Sequence, residues 1–144
     1  MALIALAGIV SVPAASEAVQ PGHAAALRVS VNPSAGSTST HFAVSFRAAL
    51  TTGRSAHNVY RVTASERGSG GCQSGVGAVA PPSKAGSTVR VVLAPLGSKR
   101  WCRGTFRGQV WDVITTACPV GKACPAIEPL PQMVGKFTFR VTRG

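Results

Sequence analysis

The sequence predicts an all-β chain of six to seven short antiparallel strands packed as a two-sheet sandwich. Three observations carry that prediction. Apolar and polar residues alternate in six separate stretches, the chain beyond its N-terminal segment shows no helical periodicity, and Gly, Pro, Asn and Ser punctuate the gaps. A small barrel is the other way of closing that many strands. At 144 residues the chain has room for one such domain and too little for two ordinary ones.

The N-terminal segment stands apart. Residues 1–18 are apolar over 2–15 and then turn small, with Ser16, Glu17 and Ala18 offering a small-x-small cleavage site, which reads as a secretory signal peptide. Pro13 interrupts the run, which ends short of the roughly 18–20 residues a bilayer requires. No second apolar segment follows, so the expectation is a secreted mature chain without a transmembrane segment. Residues 19–26 read as a linker and 27–144 as the domain.

The strands follow in order. Leu27, Val29 and Val31 alternate with Arg28 and Ser30 before the turn chemistry of Asn32, Pro33, Ser34 and Gly36. Phe42, Val44, Phe46 and Ala48 give the second strand and the strongest alternation. Tyr60, Val62 and Ala64 give the third, and Val89, Val91 and Leu93 the fourth. The fifth runs over 104–113, with Phe106 and Val110 on one face and Thr105, Arg107, Gln109 and Trp111 on the other. Unbroken alternation turns Asp112 inward there, and a bulge after Gly108 would turn it out. Phe137, Phe139 and Val141 alternate with Lys136, Thr138 and Arg140 in the last strand. Two long connections, 68–87 and 115–132, each carry cysteine, and the first has room for a short edge strand at 76–80.

The cysteine count is four, Cys72, Cys102, Cys118 and Cys124, and an even count in a small exported domain predicts two disulfides. No C-x2-C pair and no neighbouring His supports zinc. If the third, fifth and last strands take the C, F and G positions of an immunoglobulin-like sheet, the end of C lies beside the start of F, which pairs Cys72 with Cys102. The F–G connection lies at the opposite end and pairs Cys118 with Cys124. Any other pairing joins opposite ends of strands spanning roughly 26 Å at about 3.3 Å per residue, against the roughly 4.4–6.8 Å between Cα atoms that a disulfide allows.

The stretch W-C-R-G-T-F-R-G-Q-V at 101–110, the two A-C-P triplets and the closing V-G-K-F-T-F-R-V at 134–141 resemble a group of short secreted proteins of high-GC Gram-positive bacteria. The resemblance covers about residues 26–144 and implies an exported immunoglobulin-like β-sandwich. It brings no assigned activity and no catalytic or binding residues.

Lys and Arg number 15 against 4 Asp and Glu, a formal charge of +11 that becomes +12 once Glu17 leaves with the signal peptide. Such a chain attracts polyanions. GC-rich coding accounts for the excess of Arg as readily as a binding surface does. Beyond the signal peptide only Glu66, Asp112 and Glu128 carry carboxylates, and His23, His41 and His57 stand alone. With no nucleophile–base or metalloprotease motif and the cysteines used in bridges, the reading is noncatalytic, with no cofactor and no metal.

What stands out is the outer side of the predicted C–F–G sheet. There alternation puts Arg61, Arg107, Lys136 and Arg140 with Trp111, cations beside an aromatic that suit an anionic polysaccharide or cell-wall polymer. No sequence-specific nucleic-acid motif accompanies them. Outward Arg also guards a sheet against edge pairing, and Arg28, Arg47 and Arg90 on the other sheet fit that plainer role. The alternative function is a secreted serine-protease inhibitor that presents Lys122 on the rigid loop closed by Cys118 and Cys124.

Overall fold

In a computed structural model that describes residues 26–49, 56–68, 70–116 and 130–143, the described chain holds eight strands and no helix. They are β1 (Ser30–Asn32), β2 (Ala35–Gly36), β3 (Phe42–Arg47), β4 (Ala56–Ser65), β5 (Gly75–Val79), β6 (Thr88–Leu93), β7 (Gly104–Thr116) and β8 (Gln132–Val141). The segment read as a signal peptide, the linker up to residue 25, and Cys118, Lys122 and Cys124 lie outside the described residues.

The strands form a three-stranded sheet in the order β1-β3-β6 and a five-stranded sheet in the order β2-β8-β7-β4-β5. Every pairing is antiparallel except that of β2, which runs parallel to β8. The inward residues of both sheets form one hydrophobic cluster: Phe42, Val44, Phe46, Val89, Val91 and Leu93 from the smaller, and Tyr60, Val62, Phe106, Val110, Phe139 and Val141 from the larger. Alternation produces this directly, because side chains two apart on a strand share a face.

Aromatic rings join the two sheets. Phe42 of β3 stacks on Phe139 of β8 with ring centroids 4.0 Å apart, and Phe139 stacks on Phe106 of β7 at 4.8 Å. Trp101, 1% exposed, closes the end of the stack with its edge or face against all three rings. Its indole N–H donates to the Thr40 carbonyl at 2.8 Å, so the one polar atom of this buried side chain is satisfied.

The structure departs from the sequence reading in three places. Of the predicted first strand only Ser30, Val31 and Asn32 enter a ladder; the Leu27 N–H instead donates to the Val134 carbonyl at 2.6 Å, beside β8. The bulge falls in β8 and not in β7. Val110 faces Gly135 and Trp111 faces Met133, so Val134 is the residue without a partner. The alternation of β7 therefore runs unbroken and Asp112 stays on the core side, opposite Tyr60. Finally, β2 is a two-residue strand with no alternation to announce it; backbone donation from Arg140 to Ser34 and from Thr142 to Gly36 holds it in place.

The long connection after β4 is tied down as its cysteine requires. It contains the edge strand β5, and Cys72 is bonded to Cys102 with a Cα separation of 4.9 Å. Buried Gln73 works beside that bridge: its Oε1 accepts from the Leu96 N–H at 2.6 Å and its Nε2 donates to the Gly75 carbonyl at 3.1 Å. Its backbone pairs with Arg100 and Cys102. The sequence separation of 30 makes the bridge worth about 3–4 kcal/mol on the chain-entropy model.

In the core, Phe137 lies over Gly108, its register partner on β7, and a Cβ at Gly108 would overlap the phenyl ring. Gly108→Ala should therefore lower stability by about 1–3 kcal/mol through overpacking. A denaturant midpoint unchanged from the parent protein would show that Phe137 does not occupy this place.

Candidate functional site

The outward face of the five-stranded sheet is a grid set by register. Arg61 of β4 lies opposite Trp111 of β7, which faces Met133 of β8 and, across β4, shares its row with Val79 of β5. The next row runs Gly77, Thr63, Gln109, Lys136, and the one after it Gly75, Ser65, Arg107, Thr138. The last pairs Thr105 with Arg140. Each of four successive rows thus carries one cation, Arg61, Lys136, Arg107 and Arg140, all exposed. Rows on one face repeat every two residues, so the series covers about 20 Å along the strands. All five residues singled out from the sequence fall on this face.

Two clefts open on it. One of about 310 Å³ is lined by Arg61, Thr63, Trp111, Val113 and Pro131. The other, about 470 Å³, is lined by Ser65, Glu66, Arg67, Thr105 and Arg107. Alternation in the sequence puts Arg61 and Trp111 on one face and gives no part in a cleft to Thr63, Pro131 or Glu66. Alternation names the face of a residue, whereas cleft walls depend on which strands are neighbours and where they end.

Glu66 lines the second cleft beside Arg67 and Arg107. Its Oε2 is buried and has no hydrogen-bond partner among the described residues. A Cβ at Gly104 would press on its carboxyl carbon at 3.1 Å, so the two glycines Gly68 and Gly104 make the space in which this carboxylate sits. Gly104 also has φ 143°, a conformation that only glycine adopts readily.

The opposite face of the same sheet holds a polar group inside the core. Tyr60 is fully buried, and its hydroxyl accepts from the Ala49 N–H at 2.8 Å and from Asn58 Nδ2 at 3.4 Å. Asp112 is the register partner of Tyr60, and its Oδ1 is buried without a partner among the described residues. Burial pushes the Tyr60 phenol above its ordinary value, with the Asp112 charge adding to the effect. Burial also holds the Asp112 carboxyl above the usual carboxylate range. Strand alternation puts both side chains on the face opposite the cations.

The smaller sheet offers a comparison surface. Arg47 and Arg90 are exposed on it, and a cleft of about 400 Å³ opens between Arg28, Ser45, Arg47 and Thr88, where the one aromatic in the lining, Phe46, is buried. No three His, Cys, Asp or Glu side chains among the described residues gather as a metal site would require. His41 is exposed beside Lys99 and Arg100. No helix of the described residues is long and apolar enough to cross a membrane. Comparison with family models, with curated proteins and with solved structures finds no match to this chain.

Asp112 gives a pH test of the core. A carboxyl with a raised pKa binds its proton more tightly folded than unfolded. Its contribution is therefore most favourable below the unfolded value of about 3.9 and is lost as pH rises through the raised value. Asp112→Asn should raise the thermal midpoint at pH 7 relative to the parent protein, with the gain shrinking as both are taken to about pH 4. An Asp112→Asn protein less stable at pH 7 would mean that the carboxylate is stabilised as an ion.

Proposed function

We propose that the chain is an exported, noncatalytic domain of immunoglobulin-like type that holds anionic surface polymers on the outer face of its larger sheet. The strand order supports the architectural part. Reading β1, β3, β4, β5, β6, β7 and β8 as A, B, C, C′, E, F and G gives an A-B-E sheet against a G-F-C-C′ sheet, with β2 as a strand A that has switched sheets. A disulfide at Cys72–Cys102 suits an oxidising compartment, and a second bridge between Cys118 and Cys124 completes the reading.

The observation that carries the function is the row pattern: one exposed cation in each of four adjacent rows, with Trp111 in the first. Opposed charges would cancel such a field, and the only carboxylate lining either cleft on this face is Glu66, which turns an oxygen into the interior. Polyanions are drawn to a surface of this kind, and their bound counterions are released on contact. Guanidinium groups add bidentate geometry toward carboxylate, sulfate or phosphate.

Two matched variants test it. Replacing Arg61, Arg107 and Arg140 together by Ser should weaken binding of a polyanion far more than replacing Arg28, Arg47 and Arg90 by Ser. Binding by the parent protein should fall by more than about tenfold between about 50 and 200 mM salt. Outward arginines contribute under about 1 kcal/mol each to stability, so both variants should keep a cooperative thermal transition. Equal losses in the two variants would assign binding to net charge alone and remove the face as a site.

A further inference from the structure

The chain has eight aromatic residues, and all are placed: seven lie in the core and Trp111 alone is left partly exposed. It stands opposite Arg61, in a cleft whose other walls are the Pro131 ring, Val113 and Thr63. That lining is amphipathic, with apolar walls, a hydroxyl and one guanidinium. A volume of about 310 Å³ is at the lower end of the roughly 300–1,000 Å³ of small-ligand clefts, room for one ring and little more.

Resting on the reading of this face as a polymer-binding surface, we infer that its ligand is an acidic polysaccharide, with one pyranose ring seated on Trp111 and that ring's acid group on Arg61. A sugar ring has an apolar C–H face for the indole and hydroxyls for Thr63. A polyphosphate has charge but no face to fill the apolar walls. Single-stranded nucleic acid stacks on aromatics too, but it uses successive platforms along a groove, and no second exposed aromatic exists in this chain. The remaining cations, one per row beyond the cleft, fit a polymer that repeats its charge ring after ring.

The edge strand adds an independent sign. On β5 the outward positions beside Thr63 and Ser65 are Gly77 and Gly75. Neither has a positive φ, and a Cβ at Gly77 would meet only Thr63 Cγ2 at 3.7 Å and a backbone oxygen at 4.0 Å. Packing leaves room for a side chain, and bare glycine weakens a strand. Glycine kept there leaves an open shelf beside the cleft, as close approach of a ligand demands.

The test compares a polygalacturonate oligomer, a polyphosphate of matched charge and a neutral glucan by calorimetry at fixed salt, with intrinsic fluorescence alongside. The uronate should bind at least tenfold tighter than polyphosphate and quench the exposed tryptophan, a signal that Trp111→Phe removes. Trp111→Ala should cost about tenfold toward the uronate and under twofold toward polyphosphate. Trp111→Phe should fall between and guards against a damaged fold. Gly77→Val should leave the thermal midpoint equal or higher and still weaken uronate binding, a split that a structural role would not produce. Equal affinity for the two polyanions, unmoved by Trp111→Ala but lost in the Arg61, Arg107 and Arg140 variant, overturns the sugar inference and leaves the basic face standing. Tighter binding of polyphosphate overturns it as well. No binding to any probe overturns both.

Discussion

The contact on which the rest of the fold depends is the stack of Phe42, Phe139 and Phe106 with Trp101 against its end. It is the place where β3 of the small sheet meets β7 and β8 of the large one, and it fixes the separation of the sheets and which residues of each strand face in. Trp101 reaches back through its side chain to Thr40 and through its own N–H to Thr38, so the segment before β3 is held by the segment before β7. The next residue is Cys102, and the bridge to Cys72 ties the connection between β4 and β5 to the start of β7. Large aromatics bury much apolar area at little cost in conformational freedom, which is why one cluster can organise eight strands.

Once that interior is set, the outer face is set too. The period of a strand is two, so placing Phe106 and Val110 inside places Arg107 and Gln109 outside, and placing Phe137 and Phe139 inside places Lys136, Thr138 and Arg140 outside. The bulge at Val134 is the one interruption, and it acts locally. It shifts the phase of β8 between Met133 and Gly135, and the segment around Leu27 and Val29 lies against it; a Cβ at Gly135 would collide with Val29 Cγ2. The cation series thus comes from core packing, with each arginine placed by the aromatic beside it in sequence.

The same logic explains what could be read in the chain and what could not. Alternation over Tyr60 to Ala64 and Phe106 to Val110 is strong because those strands each have one buried and one more exposed face, and over Phe42 to Phe46 because large apolar side chains alternate with Ala43 and Ser45. The link between Cys72 and Cys102 followed from strand adjacency, and the structure has it. Ala35 and Gly36 carry no such signal, since two residues make no period, and Leu27 and Val29 mimic a strand while the Leu27 backbone bonds to the bulge residue Val134. A bulge is legible when glycine marks it. Here Gly108 marked a different event, the close approach of Phe137, and the extra residue was Val134. The face of each cation was legible; the cleft that Pro131 and Thr63 complete was not, because it needs the register between strands far apart in sequence.

Residues 111 and 112 hold the sharpest conflict between local preference and the fold. A tryptophan gains several kcal/mol from full burial and a carboxylate loses by it, so adjacent Trp and Asp on a strand should place the ring inside and the acid in water. This strand does the reverse: Trp111 is partly exposed and Asp112 has a buried, unpartnered oxygen beside Tyr60. A bulge in β7 before Trp111 would have exchanged the two, and a bulge exists at that level, but β8 carries it. Sequences that fold well tend to agree with themselves at every level, and the exceptions collect where another requirement prevails. Strand alternation puts Asp112 on the core side and Trp111 on the outer side, so one phase places both residues. On the reading proposed for the outer face, the phase that leaves Asp112 Oδ1 without a partner among the described residues is the same one that keeps an indole beside Arg61.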